Sequence, residues 1–195
     1  LKDNKEALSF ALILEIFRVI VFGIITFFDF HIDWSFTTVS LLLLLGLVEP
    51  LSIITFMKMH EFNELSISSI ISRSRMIWVA VLATFFLGES LRVVDYIGIG
   101  VSFLGLSIAV APRRFFVDKG VRLAVITAVI AAFVVILMKT SSTYVSLPVM
   151  MVFQSLPSVL LIPLLMKNPR QSILKFSKSN FKLIILFNFF NFLAM

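Results

Sequence analysis

Apolar runs of close to twenty residues, each bounded by polar or charged clusters, recur along the chain at 7–28, 36–57, 66–87, 96–111, 122–138 and 147–166. That is the length a helix needs to cross the hydrocarbon of a bilayer. The stretch LLLLLGLVEPLSIITF, residues 41–56, is apolar without the in-and-out alternation of a barrel strand. Backbone groups in lipid must be paired internally, so the pattern predicts six membrane-spanning helices. A seventh apolar run opens near Leu183 and stops at Met195, too short at about 1.5 Å per residue to cross about 30 Å of hydrocarbon. The expectation is a piece of a longer protein, ending inside a helix and, with Leu1 in place of a methionine, also beginning late. Signal-peptide cleavage explains neither end, because the first run is long and carries Glu15 and Arg18 at its centre.

Composition narrows the class further. Of 195 residues, 59% are apolar and 14% charged, and the 22 phenylalanines outnumber the 17 Lys and Arg. A water-soluble globule and a disordered chain are both excluded. The fold class is an all-α polytopic membrane protein, a helical bundle of six complete spans plus one truncated span. With no cysteine, disulfides, thiolate metal sites and cysteine nucleophiles are excluded too.

The net charge of +6 is explained by where the cations lie. Lys2, Lys5, Lys58, Arg113, Arg114, Lys119, Arg122, Lys167, Arg170, Lys175, Lys178 and Lys182 collect on one side of the predicted spans, and Arg92 and Lys139 on the other. Cytoplasmic connections carry such an excess, so the tail 1–6 is placed inside and the acidic connection DFHIDWS, residues 29–35, outside. The cations are read as topology signals and as attraction to anionic headgroups, with no nucleic-acid partner. The stretch NPRQSILKFSKSNFK, residues 168–182, is expected along the membrane surface.

Five charges remain inside the spans: Glu15, Arg18, Glu49, Arg73 and Arg75. Each costs at least ~2.5–3.5 kcal/mol to insert at a helix centre, which makes them the candidate site. Counted from the cytoplasmic ends, Glu15, Glu49, Arg73 and Arg75 lie seven to nine residues in, at one level, with Arg18 about one turn deeper. A shared level is what a buried polar cavity requires. Mutual neutralisation is the other reading: Glu15 with Arg18 at i,i+3, and Glu49 with an arginine of the third span. Three positive and two negative charges leave one guanidinium for an acid elsewhere or an anionic ligand. Arg73 and Arg75, two residues apart on a helix, point in different directions.

Around these charges the third span is rich in serine, with Ser66 and Ser69 on the face of Arg73 and Ser68 and Ser72 on that of Arg75. Some of these hydroxyls are expected to bond their own helix carbonyls. Pro50 follows Glu49 and removes the helical donor of the Gly46 carbonyl; such a break beside a buried acid marks either a substrate site or a plain kink. The sixth span repeats the device with Pro157 after Gln154 and Ser155, and Gln154 joins the candidates. No enzyme constellation emerges, and no cofactor or metal is expected. His31 and His60 fall on opposite sides, and His31, Asp29 and Asp33 read as a solvated turn. Gly98, Ser102, Gly105 and Ala109 put small residues on one face of the fourth span, predicting a close helix contact.

The run SRSRMIWVAVLATFFLGESLRVVDYIGIGVSFLGLSIAV, residues 72–110, resembles the end of the first repeat of the ten-span EamA-type branch of the drug/metabolite transporter superfamily. The likeness rests on Leu87-Gly88-Glu89 closing an apolar helix, then Ile97-Gly98, Gly100 and Gly105 in the next. It departs in placing Met76 where that family usually has a proline. The resemblance implies a five-plus-five inverted repeat around a central cavity. Residues 1–111 would hold first-repeat helices two to five with helix one upstream, 112–121 the inter-repeat loop, and 122–195 the start of the second repeat, cut in its third helix. Glu89, the acid of the motif, is expected to cap or pair a loop. The function expected is a secondary transporter of the plasma (bacterial inner) membrane. It would move a small polar metabolite, anionic or zwitterionic, by alternating access past Arg73, Arg75, Glu49, Glu15, Arg18 and Gln154. The alternative is a non-transporting assembly subunit or sensor whose intramembrane charges pair structurally. Expected partners are a small-molecule substrate and the lipid bilayer, with a homodimer left open.

Overall fold

The computed structural model describes residues 4–62, 74–110 and 119–166, with Asn168, Pro169, Gln171 and Ile173. Among these residues the chain is helical: α1 Asn4–Thr26, α2 Phe36–Phe62, α3 Arg75–Leu87, α4 Val93–Val110, α5 Lys119–Ser141 and α6 Leu147–Leu161, followed by the 3-10 turn Ile162–Leu165. Four stretches are long and apolar enough to span a bilayer, Ala7–Thr26, Phe36–Met59, Lys119–Ser141 and Leu147–Leu165, while α3 and α4 are shorter apolar helices. The protein is a polytopic helical membrane protein. The expected third span, 66–87, is described only from Ser74 onward, so Arg73, Ser66, Ser68, Ser69 and Ser72 lie outside the described residues, as does the run from Leu183.

The chain divides into two compact units, one of Leu1–Pro50 with Tyr144–Met195 and the other of Leu51–Thr143. In the first, α1 packs along α6. Ala7, Leu8, Ala11, Leu12 and Glu15 are buried, a spacing that gathers them on one face of α1. On α6 the buried set is Met150, Met151, Gln154, Ser155 and Ser158, again one face. The face turned outward carries Phe153, Leu156, Leu160 and Leu161. The polar groups are inside and the apolar ones outside, because lipid is the solvent. On α2, Thr38, Leu42, Leu45 and Glu49 are buried while Leu43, Leu44 and Leu47 are exposed.

One end of this unit is closed by a loop clasp. Ile32 and Val145 form an isolated antiparallel bridge. Asp33 donates its backbone N–H to Tyr144 at 2.9 Å, and Ser146 its own to His31 at 2.9 Å. The Ser146 hydroxyl donates to the Asp29 carbonyl at 3.0 Å. Loop 27–35 therefore shares an end of the unit with 144–146. It is more than the solvated turn the sequence suggests, because its backbone is tied across more than a hundred residues of chain, and His31 Nε2 lies 3.3 Å from Asp33 Oδ1.

In the second unit α3 packs chiefly on α5, where Ala124, Ala128 and Ala132 are buried at four-residue intervals and let the helices approach closely. Phe86 and Phe133 meet edge to face at 5.8 Å. Gly88 ends α3 in the left-handed region at φ 64°, and its N–H donates to the Ala83 carbonyl; this conformation explains the glycine of the Leu-Gly-Glu run. Glu89 then pairs with Lys139 at the end of α5. At the start of α4, Asp95 accepts the backbone N–H of Arg92 at 2.9 Å, which holds its exposed carboxyl below the usual range. On the small-residue stripe of α4, no atom of another described element comes within 4 Å of a Cβ placed on Gly98 or Gly105, and both line an open groove of about 730 Å³ with Ala80, Val94 and Ser102.

Candidate functional site

The first unit buries three of the five intramembrane charges side by side. Glu15 and Arg18 stand one turn apart on α1, so they share a face. Arg18 Nη1 lies 3.1 Å from Glu15 Oε1 and 3.3 Å from its Oε2. The same nitrogen lies 3.5 Å from Glu49 Oε1 on α2. The side chains are 5% (Glu15), 17% (Arg18) and 12% (Glu49) exposed. One guanidinium thus serves two carboxylates, and arginine suits the task because its donors are fixed in a planar fork.

The third wall is α6. Gln154 is buried and its side-chain amide lies beside the Glu49 carboxylate. A carboxylate only accepts, so the amide nitrogen faces Glu49. The amide oxygen, Gln154 Oε1, is left without a partner, as are the hydroxyls of Ser155 and Ser158 on the same helix face. The Ser155 hydroxyl lies toward the Glu15 carboxyl without meeting it in hydrogen-bond geometry. Two prolines stand near the point where α2 and α6 meet. Pro50 and Pro157 sit inside α2 and α6, and each deprives the residue four positions earlier, Gly46 and Phe153, of its helical donor. Those two residues are where the helices cross: a Cβ on Gly46 would lie 3.2 Å from the Phe153 carbonyl oxygen and 2.9 Å from Pro157 Cγ.

Of the residues singled out from sequence, Glu15, Arg18, Glu49 and Gln154 are brought together. Among the described residues Glu49 takes Arg18 as its cation: the arginine side chain reaches back from one turn deeper to both acids. Arg75 is exposed at the start of α3 in the second unit, and Arg73 is outside the described residues. Within the described cluster the charge balance is accordingly two acids to one base, opposite to the surplus of cations counted from the sequence. Ser158 escaped notice because a lone serine in an apolar run carries no signal until Gln154, Ser155 and Ser158 are placed at i, i+1 and i+4. Glu89 is engaged with Lys139, away from this cluster in sequence and in its own unit. Among the described residues no group of three His, Asp or Glu could hold a metal ion.

The EamA-like transporter family matches residues 3–111, more than half of the chain and including Glu15, Arg18 and Glu49. No curated protein matches the chain.

Proposed function

Because the chain belongs to the EamA-like transporter family, we propose that it is a secondary transporter of the plasma membrane in which the Glu15–Arg18–Glu49 cluster binds a small polar metabolite. The observation that carries this is the burial of three charges, on two helices, about 12 Å into the spans, which no packing need requires and which is costly in lipid. A cluster with one guanidinium between two carboxylates fits a zwitterion. The ligand's carboxylate competes for Arg18 while its ammonium takes over the freed acids. That exchange of partners keeps an opposite charge beside the carboxylates and beside Arg18, with the cluster's net single negative charge unchanged. Gln154 and the crossing at Gly46 and Phe153 complete the lining.

The test is uptake of radiolabelled zwitterionic L-amino acids by proteoliposomes holding the full-length protein. Arg18→Ala is expected to abolish uptake with membrane insertion intact, since losing an arginine lowers the insertion cost. Glu49→Gln, which keeps shape and the Gln154 contact, is expected to lower apparent affinity. Normal uptake by both variants would show that the charges pair structurally in a non-transporting role or that substrate binds elsewhere.

A further inference from the structure

Gln154 Oε1, Ser155 Oγ and Ser158 Oγ are buried on one face of α6 without hydrogen-bond partners. This sets the two serines apart from the hydroxyls that are satisfied within their own helices. Thr26, Ser40, Thr84, Thr127 and Thr140 each donate to the carbonyl four residues earlier, the ordinary way a hydroxyl is satisfied in a membrane helix. Ser155 and Ser158 forgo that bond. Leaving a buried polar atom unmet forfeits its hydration without return, so three on one face beside two carboxylates call for a ligand.

The chemistry of the three atoms defines that ligand. Gln154 Oε1, an amide oxygen, is acceptor-only and has no partner. Two hydroxyl hydrogens could meet some of these lone pairs, but the cluster would still hold a net single negative charge from Glu15, Glu49 and Arg18. A proton on one carboxyl would also cancel the charge but can be donated to only one of the three oxygens. A divalent ion would match oxygen ligands but leave a buried positive charge. A monovalent hard cation satisfies both conditions, being coordinated by oxygen and bringing the sum to zero.

We propose that α6 presents Gln154 Oε1, Ser155 Oγ and Ser158 Oγ, together with a carboxylate oxygen of Glu15 or Glu49, as a binding site for an alkali cation. The cation enters from the α6 side of the carboxylates, while Arg18 holds them from α1. The proposal rests on reading this cluster as the transport site, because the cation reaches it only when the cavity opens to water, and it would make that cation the coupling ion.

The measurement is equilibrium binding of radioactive sodium to the full-length protein in detergent, with lithium, potassium and N-methylglucamine as competitors at constant ionic strength. Saturable binding that the alkali ions compete for and N-methylglucamine does not is the expected result. Gln154→Leu should weaken it at least about tenfold and Ser158→Ala by several-fold. Ser141→Ala should leave it unchanged; Ser141 is another buried hydroxyl without a partner but belongs to the second unit. Should Gln154→Leu fail to fold, Ser158→Ala removes one oxygen and carries the comparison. No saturable binding, or binding indifferent to both α6 variants, overturns the site. If binding is absent while uptake still depends on Arg18, the cation site falls and the transporter reading stands. If sodium binds and no Arg18-dependent uptake is found, the reverse holds.

Discussion

Arg18 is the residue on which the site turns, since both carboxylates lie against one of its nitrogens. Removing it leaves two acids facing each other in a poorly solvated site, and breaking a buried pair in that way costs about 3–5 kcal/mol. Arg18→Ala is therefore expected to lower the unfolding midpoint in detergent sharply, and Glu15→Gln added to it should recover most of the loss. A double-mutant cycle that is additive would mean the pair is not coupled. Arg18→Lys should restore only part, because a compact ammonium lacks the fork that spans two acids. That these residues matter was legible in the sequence, because a charge in an apolar run is expensive wherever it points. Which cation meets Glu49 was not legible: depth alone ranked Arg73 and Arg75 level with it, and the backward reach of the Arg18 side chain decides the matter.

The helices were readable as elements because apolar runs of spanning length leave few alternatives. Their ends moved by several residues, with α2 running to Phe62 and α5 starting at Lys119, because helices continue past the hydrocarbon. Contacts between elements were far less legible. Lipid and protein interior are both apolar, so the exposed Leu43 and Leu47 of α2 read the same as the buried Leu42 and Leu45. The proline breaks marked α2 and α6 but did not show that the two broken points meet. That meeting makes a paired prediction. Gly46→Ala pushes a methyl into Pro157 and the Phe153 carbonyl, two rigid neighbours, and should cost about 1–3 kcal/mol of stability. Gly23→Ala, where nothing lies within 4 Å, should be neutral or stabilise α1 by about 0.5–1 kcal/mol. Thermal unfolding of the two variants in one detergent compares them directly, and an equal effect would refute the close crossing.

At the scale of the whole molecule, orientation in the membrane is written in the connections, because Lys and Arg are retained on the cytoplasmic side whatever the helices do between them. Twelve such residues belong to connections assigned from the sequence to one side of the spans and two to connections assigned to the other. The clasp of residues 31–33 with 144–146 agrees that the α1–α2 and α5–α6 connections share an end of the first unit, and the pairing of Glu89 with Lys139 puts the ends of α3 and α5 together in the second. Both associations are those the alternation of spans requires. The cysteine-free sequence allows a direct check, since single cysteines at Asp33 and at Lys119 occupy exposed positions on connections assigned to opposite faces. An impermeant maleimide added outside intact cells should label Asp33→Cys at once and Lys119→Cys only after the membrane is opened. The opposite order would invert the molecule and keep its fold, whereas labelling of both from outside would break the alternation and with it the six-span reading.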